Sequence, residues 1–398
     1  MTQVQHGLEE TQRSSRFPIW HILTLTASGF LTIMLETMPA GILPQISQGL
    51  SVSESAAGQF VSVYALGSIV GAIPIIRATM RFPRRHLLVA ALIGYVLTSL
   101  AVAVAPTFAV AIGARFVAGM FAGVLWGIIA GIAGRIVSKE HRGRALTIAL
   151  AGTPIALAVG TPAATLLTGL IGWRFTFATM ALFAAVLIVW VLSVLPVLPG
   201  QDKAEQTPLL QVFKLRGLVP VLVTAVLYVT AHNLFYTYIA SFLAPLGMSD
   251  AVSAVLLVFG VGSLISIVVT GTLIDRHLRA LMISSTSLFG AAMISLGLLA
   301  EAPFAVFVGS AAWGLAFGGA ASLLQTAMMQ VADTAVDAAQ SVMVTGWNVG
   351  IAAGGILGGV LLGSLGSDSL VWATALLIVI ALAVVVVSRR HAFPPSSN

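Results

Sequence analysis

The chain has no cysteine. Disulfide staples, thiolate metal sites and cysteine nucleophiles are therefore excluded. Charge is almost as scarce: 8% of the 398 residues are Asp, Glu, Lys or Arg, whereas a soluble globular protein carries about 25%. No Gly-rich loop ending in Lys-Ser or Lys-Thr is present to cradle a nucleotide phosphate. Any energy input would come from an ion gradient, and no cofactor, metal or nucleic-acid partner is expected. What remains is apolar: 58% of residues are hydrophobic and the mean hydropathy is +1.03. Soluble-enzyme classes drop out, and a polytopic membrane protein is left. No acid–base or nucleophile constellation stands at motif spacing, so an integral-membrane enzyme is not expected either.

Apolar windows of about 20 residues, enough to cross a bilayer, recur twelve times. They fall at 18–43, 57–76, 86–105, 108–134, 145–169, 173–195, 218–240, 252–274, 279–299, 303–326, 340–364 and 370–388. The residues before the first window are polar, with Arg13 and Arg16 at its edge and no small-residue cleavage site after it. A retained first span is expected rather than a cleaved leader. Seventeen of the nineteen Lys and Arg residues fall in alternate loops on one side, while Glu54, Asp250, Glu301 and Asp368 fall on the other. The positive-inside rule puts both termini in the cytoplasm. The Pro- and charge-rich stretch 196–217 reads as a linker between six-span bundles at 1–195 and 218–398. Traces of duplication support two pseudo-symmetric bundles: Trp126-Gly127 in span 4 and Trp313-Gly314 in span 10, and similarly placed loops after spans 2 and 8. That is a common plan among secondary transporters.

Glu36 is the one acidic residue inside a span. Thr24, Ser28, Thr32 and Glu36 recur every fourth residue and share one flank of a helix. A carboxylate at membrane depth is costly, so it reads as a proton or substrate site, or else as a group that snorkels or pairs for structural reasons. Arg115 in span 4 lies seven residues inside its window, as Glu36 does, so each is about 10 Å below its helix end. Equal depth permits an ion pair, direct or through a water. Released from Arg115, Glu36 would take up a proton; the alternative is a static pair.

Span 7 carries Tyr228, His232 and Tyr236 at four-residue spacing, with Asn233 and Tyr238 beside them, a stripe suited to stacking and hydrogen bonding a small polar ligand. A lone His there can equally be an interhelical hydrogen-bonder. Gln325 and Asn348 are further substrate candidates, although intramembrane amides often only bridge helices. Gln59 and Tyr64 are expected near the outer mouth. Glycines of span 11 form two rows, 350/354/358 and 355/359/363, that allow close packing. Gly152, Pro154, Gly160 and Pro162 predict a kinked span 5.

Several stretches together resemble the major facilitator superfamily, in its twelve-span drug:proton antiporter branch, near bacterial sugar or arabinose efflux transporters and chloramphenicol-resistance exporters. They are LETMPAGILPQIS, MRFPRRHLL, RFVAGMFAGVLWG, GTPIALAVGTPAATLLTGLIGWRFTF, VTAHNLFYTYI and GTLIDR. The resemblance implies an all-α membrane protein of twelve transmembrane helices in two six-helix bundles, monomeric, multi-pass in a bacterial inner membrane. It implies proton coupling at Glu36 and Arg115, and a cytoplasmic gating motif at Gly271, Leu273, Asp275 and Arg276, echoed by Arg84 and Arg85. The antiporter motif falls around Gly152 to Pro162. The first-half loop departs from the pattern, with Met80 and Pro83 where the family has Asp and Gly. The function implied is export of a sugar or sugar-like molecule in exchange for protons. A multidrug or chloramphenicol exporter, a proton-coupled importer and a non-transporting membrane sensor are the alternatives.

Overall fold

The computed structural model describes residues 17–79, 81–138, 141–199, 213–332, 336–389 and 392–393. Among them the regular structure is helical throughout, with no strand. Hydrocarbon offers backbone amides no partner, and a helix satisfies them within one segment. The helices are α1 (Ile19–Gly41), α2 (Leu43–Leu50), α3 (Glu54–Thr79), α4 (Arg84–Ala103), α5 (Phe108–Ile136), α6 (Arg142–Leu150), α7 (Gly152–Ile155), α8 (Thr161–Ile171) and α9 (Trp173–Val194). After the linker come α10 (Leu218–Thr237), α11 (Ile239–Leu243), α12 (Val252–Leu299), α13 (Pro303–Phe317), α14 (Ala320–Ala332), α15 (Val336–Leu365) and α16 (Asp368–Val387). Among the described residues, eleven spans are long and apolar enough to cross a membrane. The 26-residue α3 is also about 39 Å long at 1.5 Å per residue. The long α12 bends at His277, whose φ of −131° and ψ of 27° leave the helical region, so it holds spans 8 and 9.

The two sets of helices repeat each other at fine scale. Helix α1 breaks at Ile42 (φ −128°, ψ 19°) and restarts as α2, and α10 breaks at Tyr238 (φ −112°, ψ 22°) and restarts as α11. A Cβ on Gly119 would overlap the carbonyl oxygen of Tyr64, and one on Gly314 the carbonyl oxygen of Phe259. Gly67 meets the Phe116 carbonyl as Gly262 meets that of Ala311. Arg85 donates to the Leu195 carbonyl at 3.0 Å, just past the end of α9. Arg279 donates to the carbonyls of Val385, Val386 and Phe393, at and beyond the end of α16. Each pair is 194 to 196 residues apart. This register corrects the Trp-Gly match: Gly314 corresponds to Gly119, not to Gly127. Trp126 packs over Gly29 of α1, whereas Trp313 packs among aromatic rings.

The halves meet along α3 and α15, and between span 5 and α12. The two glycine rows of α15 face two partners: Gly350, Gly354 and Gly358 pack on α10, while Gly355 and Gly359 pack on α3. Among the described residues, the hydrogen bonds between the halves lie toward the end remote from the basic loops. Ser55 donates to the Gly359 carbonyl at 2.6 Å, Tyr238 to the Gly355 carbonyl at 2.8 Å, and Ser253 to the Pro162 carbonyl at 3.3 Å. Below them Val61, Ala65, Val229, Ile351 and Ala352 form a separate apolar cluster.

Candidate functional site

The polar flank of α1 faces inward. Thr24, Ser28 and Thr32 are fully buried, and each hydroxyl bonds a carbonyl of its own helix one turn back. Thr32 also accepts a bond from the Tyr95 hydroxyl at 3.0 Å, and the Tyr64 hydroxyl donates to the Thr32 carbonyl at 3.2 Å. Tyr64 is thus an interior residue rather than one at the outer mouth. Gln59 does sit toward the remote end, 3.4 Å from the Tyr238 hydroxyl and from the Gly355 carbonyl.

Arg115 is 1% exposed and lies beside this cluster. Its Nε donates to the Phe60 carbonyl at 3.0 Å, one terminal nitrogen donates to the Leu35 carbonyl at 2.6 Å, and the other has no partner. The guanidinium rests over the Tyr64 ring at 4.4 Å. Of the two pairings that equal depth permits, the direct Glu36–Arg115 ion pair does not form among the described residues. Arg115 reaches the residue next to Glu36 in sequence, but its donors go to backbone oxygens. Glu36 is 8% exposed and has neither a hydrogen bond nor an ion pair among the described residues. The next residue, Thr37, joins Thr161 at 2.9 Å.

Span 5 is where the sequence predicted a kink. Helix α6 ends at Leu150, α7 covers Gly152–Ile155, and a π-helical turn covers Ala156–Gly160 before α8 begins. Gly152 lets α1 approach closely, since a Cβ there would overlap the Thr26 carbonyl, and Gly160 faces Met34. Pro154 and Pro162 flank the π turn, a feature frequent at functional sites.

In the second half the expected span 7 stripe divides. The Tyr228 hydroxyl is already committed to Ser285 Oγ at 2.8 Å and the Ala316 carbonyl at 2.9 Å. Asn233 donates to the Val229 carbonyl of its own helix. His232 stacks on Phe317 at 3.5 Å and lies 5.1 Å from Tyr236 and 5.3 Å from Trp313. His232 Nδ1, the Tyr236 hydroxyl and Trp313 Nε1 are buried without a hydrogen-bond partner. Gln325 is exposed on α14, its carbonyl accepting from Gln340, and half-buried Asn348 bonds the Val344 carbonyl. Neither joins the ring cluster. Trp313 is a site residue that the sequence does not mark, because its ring partners lie on remote helices.

Arg84 is buried, and its amide donates to the Leu198 carbonyl; Arg135 reaches the Pro199 carbonyl. Together with Arg85 they hold the start of the linker. Gly271 and Arg276 are exposed beside the His277 bend. The Asp275 side chain lies outside the described residues.

The sequence model of the Major Facilitator Superfamily matches residues 25–336 and 250–398. A chloramphenicol efflux pump of Mycobacterium tuberculosis is 32% identical over 348 residues, covering 85% of this chain and 84% of that one. Probable sugar efflux transporters of Mannheimia succiniciproducens and Haemophilus influenzae are 25% and 26% identical, over 91% and 97% of this chain and 92% and 97% of their own lengths. Among solved structures, a bacterial homolog of the human lysosomal transporter Spinster, described as inward-facing and unoccupied, superposes with a TM-score of 0.76 at 14% identity, covering 97% of this chain and 99% of that one. A D-xylose–proton symporter gives 0.76 at 15% identity, covering 93% and 97%. At these identities the two structures speak to the fold alone.

Proposed function

Since the chain belongs to the Major Facilitator Superfamily and is a membrane transporter rather than an enzyme, we propose that it exports a sugar or sugar-like molecule in exchange for protons. The observation that carries this reading is Glu36, an acid at membrane depth with no ion pair among the described residues, one residue from the Leu35 carbonyl that anchors Arg115. Such a group is tolerated in a span chiefly where it does work. Twelve spans in two bundles, 1–195 and 218–398, with both termini cytoplasmic, would place the basic loops on the cytoplasmic side of a bacterial inner membrane. The hydrogen-bonded end would then face outward and be shut. In this state Glu36 gives up its proton toward the cytoplasm as substrate loads. After the halves rock and the outer end opens, substrate leaves and Glu36 is protonated again.

A chloramphenicol-type exporter is the second reading, favoured by the 32% identical relative. Sugars and chloramphenicol share a chemistry: both are uncharged at neutral pH and carry hydroxyls beside a ring. The test is proton release from detergent-solubilised monomer in weak buffer, on adding a panel of sugars and chloramphenicol, for wild type and Glu36→Gln. Ligand-triggered acidification that disappears in the variant is expected, and the active ligand names the substrate. Acidification that survives Glu36→Gln, or binding without any acidification, would sink the proposal.

A further inference from the structure

The register between the halves pairs functional positions as well as scaffold. The 196-residue step from Ile42 to Tyr238 takes Thr32 to Tyr228 and Glu36 to His232. The 195-residue step from Gly119 to Gly314 takes Tyr64 to Phe259 and Arg115 to Ser310, and the 194-residue step from Arg85 to Arg279 takes Tyr95 to Phe289. The first half therefore holds a guanidinium and two phenols in a connected set, with the Glu36 acid one residue from the Leu35 carbonyl that takes the guanidinium. The second half holds rings at corresponding places. Phe259, Trp313 and Phe317 lie against His232, Tyr228 and Phe289 pack on Phe317 and Trp313 behind them, and none of these rings is charged.

Three of the rings carry unspent polar atoms. His232, Tyr236 and Trp313 form a triangle with centroid separations of 5.1, 5.3 and 5.9 Å. They are 4%, 2% and 0% exposed, and each buries one nitrogen or oxygen without a partner. Ser310 Oγ, on the same helix as Trp313, is a fourth. Buried polar groups are nearly always satisfied, so a cluster of exceptions calls for an explanation. The Tyr236 hydroxyl also points at Thr37 and Thr161 without closing a bond of good geometry. Those two threonines join the residue after Glu36 to the first residue beyond the π turn.

We propose that His232, Tyr236 and Trp313 form a subsite for an uncharged, hydroxyl-bearing ring of the transported molecule, distinct from the charged set around Glu36. Ring faces pack on the ring or C–H face of the ligand, and the imidazole, phenol and indole hydrogen-bond its hydroxyls. With no charge in the triangle, an ionised ligand would be left uncompensated. Tyr236 is the link: a ligand that takes its hydroxyl acts beside the Thr37–Thr161 joint, next to the proton-carrying residue. This rests on the transport reading and names the ligand chemistry within it.

The test is equilibrium binding to the full-length protein in detergent at pH 7. The probes are chloramphenicol, phenyl β-D-glucoside and phenyl β-D-glucuronide, the last differing from the glucoside by a carboxylate. Trp313→Phe and Tyr236→Phe each keep a ring and remove the polar atom. At least one neutral probe should bind, with the glucuronide about tenfold weaker than the glucoside. Each variant should weaken the neutral probe about threefold to tenfold, the range for one lost hydrogen bond. Protons released per ligand at saturation should stay as in wild type in Trp313→Phe and fall in Tyr236→Phe, which removes the link. Equal binding of glucoside and glucuronide, wild-type affinity in both variants, or failure of both neutral probes to bind would overturn the subsite. If binding is intact and sensitive to Trp313→Phe while no proton is released, the antiport reading fails and the subsite stands.

Discussion

Tyr238 is placed to hold the remote end shut, and removing its hydroxyl should open it. The hydroxyl donates to the Gly355 carbonyl at 2.8 Å and lies 3.4 Å from both Gln59 Nε2 and the Ser55 carbonyl. One of these contacts is a strong bond and two are marginal. The net loss in Tyr238→Phe is about 1–1.5 kcal/mol. An open state lacks these cross-half contacts, so the loss falls on the closed state alone and shifts the equilibrium about five- to twelvefold toward opening. The cysteine-free chain makes the assay direct. Ala65 is fully buried in the apolar cluster below the latch, where α3 meets α10 and α15. A single Ala65→Cys would react with a maleimide only when the halves part there. Adding Tyr238→Phe should raise the labelling rate by about five- to twelvefold. A rate within twofold of the parent would refute the latch, since the geometry leaves the hydroxyl no other structural role.

Gly119→Ala should destabilise the protein by about 1–3 kcal/mol, because the new methyl overlaps the Tyr64 carbonyl oxygen. Gly113→Ala on the same helix meets nothing within 4 Å and should be neutral or gain up to about 1 kcal/mol; thermal unfolding in detergent separates the two. Arg115→Lys should fail to rescue transport, because one ammonium cannot serve the Phe60 and Leu35 carbonyls in the fork geometry of a guanidinium; vesicle uptake at equal expression checks this. Arg279→Ala should speed amide exchange and proteolysis after Val385 without affecting the first-half helices, since Arg279 ties the end of α16 and Phe393 to span 9. A uniform loss of protection across the chain would contradict that.

The spans were legible in the sequence because hydrocarbon selects for length and apolarity, both local properties. Eleven of the windows fall on spans long and apolar enough to cross a membrane among the described residues, the window 57–76 falls within α3, and the kinked span 5 was marked by its own prolines and glycines. The polar flank of α1 was legible for the same reason: a four-residue spacing fixes a face before any neighbour is known. Partners were not legible. Equal depth brought Arg115 close to Glu36, but depth says nothing of direction, and the guanidinium settled on two carbonyls and the Tyr64 ring. Tyr228 looked like a ligand group until Ser285 and Ala316, far along the chain, took its hydroxyl.

The relation between the halves shows how such information can sit in a sequence and still mislead. A shared Trp-Gly dipeptide is conspicuous, but a tryptophan in a bundle packs wherever there is room, so the pair carries no register. A glycine pressed against a backbone carbonyl, or a break at a fixed depth, is set by two main chains and cannot drift without separating the helices. Anchoring on Gly67 and Gly262, Gly119 and Gly314, and the breaks at Ile42 and Tyr238 places His232 opposite Glu36. The scaffold positions then agree while the chemistry differs, with charge kept in one half and neutral rings in the other. A static pair of bundles would have no need to preserve the backbone contacts while exchanging an arginine for Ser310. Under the proposed exchange of substrate for protons, the first half would carry the proton and the second the substrate.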